Sequence, residues 1–437
     1  MHLDRTTPPK VFSFPKQHRP IPLRTVLDNG IKVVSLNSND REFTRLTVAV
    51  NGGLNDAKTE NIAAITPELS REGTASMTGA DIAETLDFNG AECHTVARTH
   101  HTTTTLFSLT SKIDSILPLL AEIVASPSFP AEAISPIAER IAGKIEMQNK
   151  QVAYLAGIEL NKSLYGSNHP AARVPNVKSI RATSRDDIFE WHRRSINPDA
   201  MTIFVAGRVT DTLLYNLNRH FGSITASGPG IIQDYTPYSP NPNTDIQIVD
   251  KPDALQCAIA AGLPSVSRFS KDYIPIRIAI IALGGYFGSR LMLNIRENKG
   301  LTYGINAILA GGKEGSALKI ATECNYDSVD SVIKEIKIEM ERLQDPSTFT
   351  PDEIDRLRRY LVSSLASMVD SPFATMDTFE NVLYAGTPED YFECQQDAIF
   401  SFTAKSIADS ARRYLDPANL RISIAGNASE IRLDRLR

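Results

Sequence analysis

The spacing of apolar residues along this chain shifts repeatedly between the alternation of strands and the three-to-four periodicity of helices. Thr25-Val-Leu-Asp-Asn-Gly-Ile-Lys-Val-Val34 sets Asp-Asn-Gly between two β-type runs and predicts a hairpin, and Leu46-Thr-Val-Ala-Val50 predicts a further strand. Helical spacing follows at 79–89 and 111–125, separated by Thr-rich strands around 91–98 and 101–109. One long helical stretch is expected from Glu132 to about Tyr165, then a loop through Asn168-His-Pro170, then a helix capped by Ser184 with Asp186 and Asp187 in its first turn. Residues 225–244 concentrate Pro, Gly, Ser and Asn and read as a linker. Beyond them strands are expected near 245–250, 256–262, 301–309 and 316–323, with helices over 272–283, 287–298 and from 327 onward.

The segment Arg193-Arg-Ser-Ile-Asn-Pro-Asp-Ala-Met-Thr-Ile-Phe-Val-Ala-Gly207 returns about half a chain later as Arg412-Arg-Tyr-Leu-Asp-Pro-Ala-Asn-Leu-Arg-Ile-Ser-Ile-Ala-Gly426. Each copy reads as a helix end with two arginines, an Asx-Pro turn and a strand closing on Ala-Gly. Duplication into two like-folded halves follows, with a cleft between them where chemistry should be sought. Strands joined by short turns imply antiparallel pairing, and several helices per sheet imply one covered face. The expected fold is therefore α+β: two homologous domains, each a mostly antiparallel sheet with helices packed on one face. The boundaries fall at 1–226 for the first domain, 227–245 for the linker and 246–437 for the second domain.

A chain of 437 residues allows two sizeable cores, and the net charge of −5 gives no reason to expect nucleic acid or an anionic membrane as partner. The first residues, Met1-His-Leu-Asp-Arg-Thr-Thr-Pro-Pro-Lys10, lack the apolar core of a signal peptide, and no run reaches the roughly 20 apolar residues of a membrane span. A cytoplasmic location is the expectation. Cys93, Cys257, Cys324 and Cys394 form no C-x-x-C pair and read as reduced, mostly buried thiols.

The order of elements, with several local signatures, resembles the insulinase/pitrilysin family of inverted zinc peptidases over nearly the whole chain. These signatures are the hairpin Leu27-Asp-Asn-Gly-Ile-Lys-Val33, Gly73-Thr74, Asp81-Ile-Ala-Glu-Thr-Leu-Asp-Phe-Asn-Gly-Ala91, Ser126-Pro-Ser-Phe-Pro130 and Glu139-Arg140. The second half adds Leu283-Gly-Gly285 through Ser289-Arg-Leu291 and Arg296-Glu-Asn-Lys-Gly-Leu-Thr-Tyr303. Active members carry H-x-x-E-H on a helix, which gives two zinc ligands and a general base on one face. The resemblance puts Ala64, Pro67 and Glu68 at those positions, so both histidines and the base are missing. Thr66 and Pro67 look like a helix start, which would make the ligand-bearing helix begin late or kink. The third ligand of the family matches Glu146, with Glu139 at a nearby acidic position. Seven residues separate them, so both share a helix face about 10 Å apart. A solvated face with Glu146 paired to Lys150 is favoured over a metal role. His94 and His100 would face one side of a continuous strand and His101 the other; they read as solvent-facing or edge histidines.

In the second half, Arg296 and Tyr303 match an Arg and a Tyr that the family places opposite its zinc. Both can donate hydrogen bonds to a peptide carbonyl as it becomes an oxyanion. Leu283-Gly-Gly-Tyr-Phe-Gly-Ser-Arg290 is a helix-packing turn, and Gly311-Gly-Lys-Glu-Gly315 a hairpin loop. The resemblance implies a non-catalytic subunit that cleaves nothing alone, holds no metal or cofactor, and pairs with a homologous H-x-x-E-H-bearing subunit on which the zinc sits. Peptides would add a strand to an exposed sheet edge, for which residues 91–98 are a candidate. An inactive structural or peptide-binding scaffold is the alternative; an independent enzyme with a relocated metal has little in its favour.

Overall fold

A computed structural model describes residues 6, 15–241 and 246–433; the chain ends and the last four linker positions, 242–245, lie outside the described residues. The first half contains β1 (Leu23–Val26), β2 (Lys32–Asn37), β3 (Phe43–Asn51), α1 (Glu60–Leu69), α2 (Gly79–Phe88), β4 (Glu92–Ala97), β5 (His101–Leu109) and α3 (Thr110–Ala125). It continues with α4 (Ala131–Gln148), α5 (Val152–Tyr165), α6 (Val177–Arg181), α7 (Arg185–Ser195), β6 (Thr202–Gly207) and α8 (Asp211–Phe221). The second half contains β7 (Gln247–Asp250), β8 (Cys257–Ser265), α9 (Tyr273–Gly284), β9 (Ile305–Gly311), β10 (Ser316–Cys324) and α10 (Val329–Leu343). It closes with α11 (Pro351–Ser367), α12 (Pro372–Ala385), α13 (Tyr391–Ser401), α14 (Ala404–Tyr414) and β11 (Arg421–Gly426).

The two sheets run β1-β2-β6-β3-β5-β4 and β7-β11-β8-β10-β9. Without β1 they have one connectivity, with β2/β6 and β7/β11 the parallel pairs and every other pairing antiparallel. The sequence repeat has a structural meaning here. In both copies an Asx side chain, Asn197 or Asp416, accepts a hydrogen bond from the backbone two residues on, and the strand that follows enters the middle of its sheet. The Asp28-Asn-Gly30 hairpin joins β1 to β2 as expected, with Gly30 at φ 95°, a conformation that other residues rarely adopt. Ser184 caps α7 in a reciprocal capping box with Asp187.

Both faces of each sheet are apolar in the centre, and the reason is a helix exchange. Val33, Leu46, Val48, Ile203 and Val205 face α2, α3 and α8 of their own half. Val34, Leu36, Ala49, Phe204 and Ala206 face Phe373, Met376, Phe379 and Tyr384 of α12, which belongs to the other half. Correspondingly, Ile259, Leu263, Leu318, Ile320 and Ile422 meet the second half's helices. Ala258, Ala260, Ala317 and Ala425 meet Ala156, Leu160 and Leu164 of α5, from the first half. Each sheet thus carries its own helices on one face and a single borrowed helix on the cleft side.

This exchange accounts for a correction. The expected single helix from Glu132 to Tyr165 breaks at Asn149-Lys-Gln151, where Lys150 and Gln151 close tight turns onto Met147 and Gln148 and Gln151 is extended. The chain must turn there because α4 packs within the first half while α5 crosses to the second sheet. Residues 225–241 carry no regular element, yet they are pinned. Ile231 is buried against Trp191, Asp234 N–H bonds to Asp56, and Tyr238 packs on Tyr165.

Candidate functional site

Ala64, Pro67 and Glu68 lie on α1, and here the expected helix start is overturned. The helix begins at Glu60 and Pro67 sits inside its last turn. Proline there removes only one helical bond, and neighbours compensate. Thr66 Oγ1 bonds back to the Ile62 carbonyl (2.8 Å), while the Pro67 carbonyl accepts from Ser70 Oγ (2.7 Å) and from Thr95 Oγ1 on β4 (2.6 Å). The backbone that would present ligands is therefore preserved, and the loss is one of side-chain chemistry. Ala64 and Pro67 offer no donor atom, and Glu68 is ion-paired with Arg140 of α4.

Glu139 and Glu146 share one face of α4, as their spacing requires, but the partner is Arg181 of α6 and not Lys150. Arg181 Nε reaches Glu139 at 2.9 Å and Nη2 reaches Glu146 at 3.0 Å. Lys150 lies past the end of α4, so the i+4 geometry it would need is absent. Two carboxylates around one guanidinium hold that cation's charge firmly, and these positions do not fit a zinc ion. Among the described residues no group of three His, Cys, Asp or Glu side chains converges for metal binding.

The histidines divide differently from expectation. His94 is exposed, 3.4 Å from Glu92. His100 is buried, because β4 and β5 end on either side of it and it turns inward from their hairpin. Its Nδ1 lies 2.8 Å from Asp56 Oδ1 and its Nε2 hydrogen-bonds Glu314, in the β9–β10 loop of the other half. Burial opposes the imidazolium, but the bonds to Asp56 and Glu314 outweigh it and raise the pKa to about 9. His101 is half-buried and stacks on Tyr384 of α12 with ring centroids 3.7 Å apart. Both tie the halves together, which no local pattern could reveal.

Arg296 lies in a wide π-type turn, Met292–Asn298, and not in the ordinary helix expected over 287–298. Lys299 N–H bonds back five residues to the Asn294 carbonyl, and Gly300 follows at φ 61°. Asn294 anchors the turn to Glu335 (2.9 Å) and Glu339 (2.8 Å) of α10. Arg296 Nε donates to the Tyr303 carbonyl at 2.8 Å, its Nη1 pairs with Glu297, and its guanidinium lies 5.0 Å from the Phe287 ring. Strand β9 begins at Ile305, two residues later than Tyr303, so Tyr303 stands outside the sheet with its side chain 94% exposed.

Tyr303 borders a cavity of about 560 Å3 between α5 and the cleft face of the second sheet. Its walls are mostly apolar, with Ala153, Ala156 and Gly157 of α5 facing Ala258 and Ala260 of β8. Lys319 and Glu323 of β10 lie toward its ends. None of Ala64, Pro67, Glu68, Glu146 or Arg296 lines it. Lys319 was not singled out from sequence, although Ala317-Leu-Lys-Ile-Ala321 carries a signal. A lysine falls in phase with two alanines on the face opposite Leu318 and Ile320.

Comparison with known proteins agrees with this geometry. Residues 182–361, from α7 into α11 and including Arg296 and Tyr303, match the family described as peptidase M16 inactive domain. An uncharacterized zinc protease of Mycobacterium leprae is 25% identical over 72% of each chain. The non-peptidase homolog YmxG of Helicobacter pylori is 22% identical over 88% of this chain and 89% of its own. A solved peptidase M16 inactive domain from Pseudomonas fluorescens superposes with a TM-score of 0.84 at 22% identity, covering 93% of this chain and 98% of that one. With its duplicated sheets and a ligand helix stripped of donors, the chain is similar to M16 peptidases, and its residues 182–361 match the inactive domain of that family.

Proposed function

We propose that the chain is the non-catalytic subunit of a heterodimeric zinc metallopeptidase, bringing Arg296 and Tyr303 to the peptide bound at a partner's zinc site. The observation that carries this reading is Tyr303. It is almost wholly exposed at the mouth of a cavity, and its hydroxyl has no hydrogen-bond partner among the described residues. Arg296 fixes the Tyr303 backbone through its Nε, which keeps the two residues side by side, and both can donate to a carbonyl as it becomes an oxyanion. The zinc and its ligands would belong to the partner, a homologue with an intact H-x-x-E-H. Alone, this chain should cleave nothing. Substrate peptides could extend β4, an edge strand hydrogen-bonded on one side only.

A second reading, an inactive scaffold without part in proteolysis, is favoured by the engagement of Arg296, whose guanidinium is already paired with Glu297 and packed on Phe287. Co-expression with an H-x-x-E-H homologue separates the two. Turnover of a quenched-fluorescence peptide by the complex should fall about 10²-fold in the Arg296→Gln, Tyr303→Phe double variant. Turnover unchanged in that variant leaves only the scaffold, and failure to form a complex removes the heterodimer altogether.

A further inference from the structure

The alanine-lined cavity beside Tyr303 does not end at Lys319. A second cavity of about 460 Å3 shares Lys319 and Asn161 with it and continues between the halves toward Arg98, Arg268 and Lys313. This second space is polar and cationic in a chain whose net charge is −5. Among the described residues none of Arg98, Arg268, Lys313 and Lys319 forms an ion pair. The carboxylate lining the space, Glu314, is committed to His100. Arg268 Nε is buried without a hydrogen-bond partner. Lys313 Nζ reaches only the Tyr235 hydroxyl (3.0 Å) and ring. Lys319 Nζ bonds Asn161 Oδ1 at 2.7 Å and sits 4.7 Å from the Tyr165 ring, which leaves ammonium donors free.

We propose that the two adjoining cavities form one binding site for an acidic peptide segment, with an apolar side chain in the cleft beneath α5 and carboxylates on Lys319, Arg268, Lys313 and Arg98. A buried, unneutralised ammonium is costly, and an arriving carboxylate relieves that cost. Burial alone pushes the Lys319 amine down to about 8, consistent with a cation awaiting its counter-ion. The shape favours an extended chain over a compact solute. From Lys319 to Glu323 the first cavity follows four residues of β10, roughly 13 Å. Glu323, the one carboxylate lining the first cavity, is at the end remote from the cationic cluster. The site therefore has a direction, with its carboxylate toward Tyr303 and its cations toward the centre of the molecule.

This inference deepens the peptide-binding part of the proposed function and rests on that part alone, since it needs neither a partner nor zinc. The test is fluorescence anisotropy with the isolated full chain and three labelled octapeptides, alternating Leu/Glu, Leu/Gln and Leu/Lys. The Leu/Glu peptide should bind about tenfold or more tightly than Leu/Gln, and the preference should shrink as salt is raised. Lys319→Met should weaken Leu/Glu binding about fivefold or more and Lys319→Arg should retain it. Arg98 is exposed, and its side chain makes no hydrogen bond or ion pair among the described residues while its backbone bonds do not depend on residue type, so it supplies a variant that leaves the fold alone: Arg98→Glu should also weaken Leu/Glu binding. Equal affinity for Leu/Glu and Leu/Gln, no binding of either, or a Leu/Glu affinity indifferent to both Lys319→Met and Arg98→Glu overturns the inference. Any of these leaves the Arg296/Tyr303 reading standing, because that reading is judged by turnover in the complex.

Discussion

His100 is held between Asp56 of the first half and Glu314 of the second, three ionisable groups removed from water together. Such a cluster is stable only while the imidazolium offsets the carboxylates beside it. Burial works against the imidazolium, yet the two carboxylates raise its pKa to about 9, well above the unfolded value near 6.5. A raised folded value means that the charged histidine contributes its full stability below about pH 6.5, and that this is lost as pH climbs through about 9. Glu314 has the opposite sign. Burial raises its pKa, but the His100 bond and its other hydrogen bonds win and lower it, so its contribution is lost as the pH falls through its folded value. Thermal unfolding followed across pH should therefore show the native chain declining between about pH 7 and 9.5. His100→Ala should cost about 3 kcal/mol at neutral pH, because two carboxylates are left buried without their cation, and should flatten that alkaline decline. A variant that melts like the native chain at pH 7 would show that the cluster contributes nothing.

At the scale of elements, helix α1 shows what a sequence can and cannot disclose. The loss of ligands was legible, since Ala64 and Pro67 lack donor atoms in any conformation. The effect of Pro67 on the backbone was not, because it depends on Thr66, Ser70 and Thr95 taking up the strain, and Thr95 comes from another element. Hairpins, caps and the repeat were readable because each is set within a few residues. The break at Asn149-Lys-Gln151 and the burial of His100 were not, being imposed by where α5 and the β9–β10 loop must go. The intact helix leads to a sharper expectation than a kinked one would. Ala64→His, Pro67→Glu and Glu68→His together should restore the side chains to one helix face, yet zinc binding should stay weak while Arg181 holds Glu146. Adding Arg181→Ala should tighten zinc about tenfold or more, measured by competition with a chromophoric chelator. Equal zinc affinity with and without Arg181 would show that this arginine does not withhold the fourth side chain.

At the scale of the whole molecule, the exchange of α5 and α12 makes each half part of the other's core. Ala258, Ala260, Ala317 and Ala425 present an almost flat surface to α5, and Gly262 lets Leu160 and Leu164 approach closely. A Cβ at Gly262 would lie 2.4 Å from the Leu318 carbonyl oxygen and 3.0 Å from Leu164. Around α12, Arg45 reaches Asp377 at 2.6 Å, and at the chain's start Arg19 bonds Glu393 at 3.1 Å on α13. Few contacts of this kind would survive if one half unfolded while the other stayed native. Calorimetry should then show one transition, with equal van't Hoff and calorimetric enthalpies, despite the duplicated architecture. Gly262→Val should lower that single transition by an overpacking penalty of about 1–3 kcal/mol and not split off a separate melting of the second half. Two resolved peaks, with only the later half displaced by the substitution, would mean that the halves are autonomous and that α5 and α12 merely rest on their neighbours. The distinction matters for the cavity beneath α5. Its walls come from both halves, so a molecule that melts as one unit keeps that space formed for as long as it is folded at all.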